Sequence, residues 1–207
     1  MIPDLTYNAA IAHIESSLIQ GRLLKADVHI IRFGGRKYVL KDYTAKGFWV
    51  RNIAGRIVTG LETRAYRALV GIDGLPSQFK RLSPFALAIE YLEGRDLGVI
   101  QPAELGPGIL LQFERIIEDL HERGWVHLDL QKRSNIIVAD AKLYFVDLGS
   151  AFHAAGVPLF GRCLMRVLSF FDRLSLIKHK SFYAPELLSP QEKKWLRLRN
   201  KVMPRKW

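Results

Sequence analysis

The chain predicts an α+β fold in two parts, and three observations carry that reading. Short runs rich in β-branched and aromatic residues fill 22–43 and 78–91, with a single helical pattern between them. Beyond residue 94 the apolar residues recur mainly at helical spacing. With 207 residues, 49% of them hydrophobic, the chain can bury a core in one compact domain or two small lobes.

Ile11, Ile14 and Leu18 fall at helical spacing and predict a short leading helix over 8–19. Residues 22–43 read as three short strands, with Gly34-Gly35 as the hairpin turn before the strand ending Val39-Leu40-Lys41. A helix follows over 54–70. The chain turns at Gly74-Leu75-Pro76, and strands are expected near 78–82 and 85–91. Ile109, Leu110, Phe113, Ile116, Ile117 and Leu120 give one apolar helical face opposite Glu114, Glu118 and Glu122, and Gly124 ends that helix. Ile136-Ile137-Val138 and Leu143-Tyr144-Phe145-Val146 suit a small hairpin. The tail reads as helices near 158–177 and 190–202, the second opened by Ser189 as cap, Pro190 in the first turn and Glu192 three residues on.

One cysteine, Cys163, excludes an intrachain disulfide and has no His or Cys at zinc-ligand spacing, so a reducing cytoplasm is expected. Met1-Ile2-Pro3-Asp4 does not read as a signal peptide. No uncharged apolar run approaches the ~20 residues a bilayer crossing needs. The expected location is the cytoplasm or the inner face of a membrane. A net charge of +11 calls for an acidic partner, which charge alone leaves open among nucleotide, phosphorylated glycolipid, anionic membrane and nucleic acid. From Lys193 to Trp207 seven Lys or Arg are interleaved with Trp195, Leu196, Leu198, Val202, Met203 and Trp207. A second basic and aromatic stretch holds Lys46, Phe48, Trp49, Arg51 and Arg56.

The run His127-Leu128-Asp129-Leu130-Gln131-Lys132-Arg133-Ser134-Asn135, with Asp147-Leu148-Gly149 downstream, places an Asp, an Asn and a second Asp on two short turns flanked by apolar residues. Phosphoryl transfer asks little more of a protein: a carboxylate to orient the attacking hydroxyl, and oxygen ligands for the Mg²⁺ that neutralises the phosphates. This pattern resembles the catalytic loop and metal-binding turn of the protein-kinase-like superfamily. The resemblance continues upstream in family order, through Lys41 at the end of a strand, Glu62 in a helix, and Leu87–Gly94 as the strand and hinge. It covers roughly 22–150 and comes nearest to bacterial lipopolysaccharide-core kinases and RIO-type atypical kinases.

The resemblance implies a bilobal protein-kinase-like fold. Residues 1–93 would form a small antiparallel sheet lobe with one key helix, and 94–207 a reduced, mainly helical lobe. It implies ATP and Mg²⁺ as cofactors, Asp129 as catalytic base with Lys132 beside it, and Asn135 and Asp147 as metal ligands. Nucleotide contacts would come from Lys41, Glu62, Ala26 and the hinge residues Glu90 and Leu92. Two departures stand out. The turn Leu23–His29 lacks the family's glycines, and Asp129 and Asn135 are six apart where protein kinases have five. Ala184-Pro185-Glu186 matches a family motif in letters but reads as coincidence, because Pro185 suits the first turn of a helix. Each residue also has a plainer reading: Asp129 and Asp147 as turn residues, Lys41 as an edge-strand lysine, Glu62 as an ordinary helix glutamate, Lys132 and Arg133 as solvated charges. Pro158–Ile177 reads either as a lobe helix or as an amphipathic helix on a membrane surface.

The function expected is transfer of the ATP γ-phosphoryl group to an acceptor hydroxyl, a lipopolysaccharide-type glycolipid sugar or else a protein serine or threonine. The other class is an inactive kinase-fold scaffold that binds nucleotide, RNA or lipid.

Overall fold

The computed structural model describes residue 2, residues 4–21 and residues 24–202. Leu23 of the expected nucleotide turn, and Met203 and Trp207 of the basic tail, lie outside the described residues. The chain divides into two compact units, Met1–Glu93 with Phe145–Ala151, and Gly94–Tyr144 with Phe152–Trp207.

In the first unit, helix α1 (Tyr7–Ala12) is followed by strands β1 (Ile14–Ile19), β2 (Asp27–Phe33) and β3 (Arg36–Asp42). A π-helical turn, Val50–Gly55, runs into helix α2 (Arg56–Ala68), and β4 (Phe79–Ser83) and β5 (Ala86–Glu90) complete the unit. These strands form one antiparallel sheet in the order β1-β2-β3-β5-β4. Gly34 and Gly35, at φ +57° and +77°, make the two-residue turn that pairs Phe33 with Arg36. Ile31, Tyr38, Leu40, Ala86 and Ala88 form a core under which Ile2, Leu5 and Ala10 pack. The α1 segment is tied down where the Tyr7 hydroxyl donates to Asp42, 2.9 Å away.

Two expectations fail here. The leading helix stops at Ala12, and Ile14 and Leu18 lie in β1, because pairing along β2 outweighs a helical spacing of three apolar residues. Residues 22–43 hold two strands rather than three, since β1 supplies the outer strand and 24–26 is the turn into β2.

The second unit comprises β6 (Arg95–Asp96), α3 (Pro107–Glu122), β7 (Trp125–Val126), β8 (Ile136–Ala139), β9 (Lys142–Phe145), β10 (Phe152–His153), α4 (Gly161–Tyr183) and α5 (Pro190–Val202). Gly124, at φ +74°, ends α3, and a Cβ there would lie 2.4 Å from Ala155. Lys180 staples three helices by reaching Glu114 of α3 and Glu192 of α5, each at 3.2 Å. Ser189 and Glu192 exchange the two hydrogen bonds of a capping box at the start of α5. Among the described residues no helix is long and apolar enough to cross a membrane.

Candidate functional site

The chemistry-bearing residues gather in two clusters, one in each unit. In the first, β3 carries Lys41 and α2 carries Glu62, and the segment Phe145–Ala151 brings in Asp147. The Lys41 ammonium donates to Glu62 Oε1 and to Asp147 Oδ1, both at 2.7 Å. Glu62 is buried with 2% of its side chain exposed, Lys41 has 18%, and Asp147 keeps 47%. Burial alone would pull the lysine down, but the two carboxylates outweigh it and hold Lys41 above its ordinary pKa. Burial raises Glu62, against the pull of Lys41. The ammonium is therefore a fixed cation with one carboxylate behind it and a half-exposed one beside it. Asp147 adopts a left-handed conformation at φ +62°, a conformation costly for a non-glycine residue. Gly149 leaves the room this needs, since a Cβ there would stand 3.2 Å from Asp147 Oδ1 and 3.7 Å from Glu62 Oε2.

The remaining expected nucleotide contacts also lie in the first unit. Ala26 is buried in the turn before β2. That turn lacks glycines but is pinned from behind: Lys46 donates to Asp27 and to the Gly21 carbonyl, and Asp27 accepts the Gly21 N–H. Gly21 is required because a Cβ would come within 2.2 Å of the Ala26 carbonyl. Glu90 has a part that its hinge position does not suggest. Its carboxylate accepts from the Ser77 N–H and hydroxyl and from the Gln78 N–H, while its own N–H donates to the Gln78 carbonyl. Leu92 follows, half-buried.

In the second unit the loop after β7 folds back on Asp129. Asn135 donates through Nδ2 to the Asp129 carbonyl at 3.1 Å and to its carboxylate at 3.0 Å, and Lys132 pairs with the same carboxylate. A single 3₁₀ turn, Arg133–Asn135, takes up the extra residue between Asp129 and Asn135, so the longer spacing still returns the amide to the acid. With Nδ2 spent on Asp129, only Oδ1 of Asn135 is left to offer a cation. Arg133 stacks over Phe182, 4.1 Å from the ring centre.

Residues that sequence reasoning passed over hold this loop. Asp172 of α4, fully buried, accepts the His127 N–H at 2.8 Å and the Leu128 N–H at 2.9 Å, and pairs with His121 at 3.1 Å. Leu128 is held at φ +66° between this clamp and Asp129. One helical face further on, His179 donates to the Leu130 carbonyl at 2.8 Å, and burial pushes its pKa down to about 4. Tyr183 donates to the Leu97 carbonyl. An acid directly after Phe170-Phe171 and seven before a histidine was the available signal, but it becomes meaningful only once α4 is packed.

Among the described residues no group of three or more His, Cys, Asp or Glu converges as a metal set. Mg²⁺ does not ask for one, because it binds through one or two carboxylates together with substrate phosphates and water. Asp147, half exposed and fixed beside an ammonium, fits that role.

No family model and no curated protein matches the chain. Solved structures do. The Rio2 kinase from Chaetomium thermophilum superposes with a TM-score of 0.55 at 14% identity, over 86% of this chain and 60% of that one. Its ADP/Mg²⁺-phosphoaspartate complex gives 0.56 at 16%, over 92% and 66%. The fold is therefore protein-kinase-like, and the chain spans about two thirds or less of the length of these neighbours. Neither neighbour is a lipopolysaccharide-core kinase.

Proposed function

We propose that the protein is an ATP- and Mg²⁺-dependent phosphotransferase that moves the γ-phosphoryl group to an acceptor hydroxyl. The observation that carries this reading is the Lys41 ammonium held at 2.7 Å from both Glu62 and Asp147. A buried glutamate that spends its charge orienting a lysine leaves that lysine able to meet phosphate oxygens. Asp147 takes the Mg²⁺, and Asn135 Oδ1 is the second oxygen ligand. Asp129 orients the acceptor hydroxyl and receives its proton, with Lys132 beside it to meet the transferring group. The ADP and Mg²⁺ bound by the Rio2 neighbour support the same cofactors here.

A sugar hydroxyl on an anionic glycolipid is the acceptor we favour, on the strength of the +11 charge and the basic, aromatic α5 segment. A protein serine or threonine, as a RIO-like kinase would use, is the second reading, supported by the Rio2 likeness. Thermal shift with ATP tests the cofactor reading. Stabilisation by ATP should require Mg²⁺ in the wild type and vanish in Asp147→Ala. Metal-independent stabilisation, or none, would favour a nucleotide-binding or inactive scaffold.

A further inference from the structure

The first half of α4 serves neither cluster, and it is exposed. Leu159 and Phe160 stand at its head with 97% and 69% of their surface open, Leu159 at φ +63°. Val167, Phe170 and Phe171 follow at 53%, 37% and 45%. Phe160, Cys163, Val167 and Phe171 recur at helical spacing and so form one stripe, while Phe170 beside it rests edge-on against Trp195 of α5, ring centres 5.4 Å apart. A parallel stripe carries Arg162, Arg166, Ser169 and Arg173, which with Met165, His121 and Ala155 line a groove of about 460 Å³.

Among the described residues no carboxylate pairs with any of these three arginines. Asp172 is the only acid from Ala154 to Tyr183, and it is buried under the catalytic loop. The surface thus joins unpaired guanidinium groups to open aromatic and aliphatic side chains along one helix. A solvated helix would not expose such a stripe, and a core helix would not expose it either. Charge complementarity points to an anionic occupant. The immediate neighbourhood of apolar and cationic stripes matches a bilayer interface, where phosphates lie within a few ångströms of acyl chains.

We propose that the segment from Leu159 to Arg173 docks the protein on an anionic membrane, with lipid phosphates among Arg162, Arg166 and Arg173 and with Phe160, Val167 and Phe171 entering the acyl boundary. This docking is independent of phosphotransfer, and it would bring the protein to a surface that carries glycolipid acceptors.

Co-sedimentation with phosphatidylcholine vesicles, with and without phosphatidylglycerol, is the test. The full-length wild type should sediment with the anionic vesicles alone and release as salt rises. The double variant Arg162→Glu, Arg166→Glu should bind at least about tenfold more weakly, since each basic side chain contributes substantially near such a surface. Its thermal melt and its Mg²⁺-dependent stabilisation by ATP should match the wild type, which separates loss of docking from loss of nucleotide binding. Cys163, the only cysteine in the chain and exposed on the apolar stripe, takes an environment-sensitive fluorophore whose emission should shift to the blue on anionic vesicles. Equal sedimentation of wild type and double variant would overturn the proposal and assign binding to another basic surface such as α5. An unshifted Cys163 label would overturn it as well. If inorganic phosphate displaces the protein from vesicles through a saturable site in the same groove, the ligand is a soluble phosphate and the membrane assignment fails.

Discussion

Lys41 and Asp129 are held in place by opposite means. Around Lys41 the partners are charges: two carboxylates grip one ammonium, and the most buried of the three, Glu62, accepts a charged hydrogen bond from that lysine. Around Asp129 the load falls on the backbone. Its loop is gripped at His127, Leu128 and Leu130 by side chains of one helix, Asp172 and His179, more than forty residues further along the chain. The first arrangement stores its function in electrostatics and responds to pH and charge mutation. The second stores it in a strained main chain and responds to loss of a hydrogen-bond acceptor.

Lys41→Met should give the largest change, because it strands Glu62 without its cation. Removing one member of a buried ion pair costs about 3–5 kcal/mol at neutral pH, measurable as a fall in urea unfolding free energy. The sign with pH follows from the two groups. Lys41 is raised, so the stability it contributes is present below its ordinary value and lost as pH rises through its folded one. Glu62 is also raised, and without Lys41 it rises further, so the variant should recover stability as the pH falls and Glu62 takes a proton. A pH-independent deficit would show that packing, rather than charge, carries the cluster.

Asp172→Ala should cost about 3 kcal/mol, as two buried amides lose their acceptor at roughly 1–3 kcal/mol each. Leu128 would then relax and turnover would drop even where nucleotide binding persists. A variant with native stability and native turnover would mean that the loop holds its own shape. His179 gives a subtler handle. Its pKa falls from 6.5 to about 4 on folding, so its contribution is complete above pH 6.5 and is lost as pH falls towards 4. The stability lost between neutral pH and the acid end is up to about 3 kcal/mol. His179→Gln should flatten the acid limb of the stability profile, and an unchanged limb would place the responsible group elsewhere. Smallest of all, Ser189→Ala removes the α5 cap and should lower stability by about 1 kcal/mol without touching turnover.

The contrast between the clusters also explains what the sequence made legible. Lys41, Glu62, Asp147, Asp129 and Asn135 could be named because their order along the chain resembles that of the protein-kinase-like superfamily, while each taken alone also fitted an edge-strand, helix or turn residue. Four strands of the five-stranded sheet were readable from short β-branched and aromatic runs, and Gly34-Gly35 marked the β2–β3 hairpin. Asp172 was not readable, because its meaning lies in two backbone amides that come beside it only after α4 packs. The Glu90 carboxylate was missed for a similar reason: it binds the approach to β4, not its sequence neighbours. The strand Ile14–Ile19 was mistaken for helix because pairing with β2 is a non-local contact. The helix over 158–177 admitted two readings; in α4 the second half is largely buried and braces the loop, while the first half keeps exposed apolar side chains.

The central claim is phosphotransfer with Asp129 as the base. Its most direct test follows the radiolabelled γ-phosphate of ATP in the presence of Mg²⁺, from wild type and from Asp129→Asn, with glycolipid and protein acceptors supplied in parallel. The account predicts transfer by the wild type and a loss of about a hundredfold or more in Asp129→Asn, with ATP binding unchanged. Equal transfer by the two proteins would contradict it.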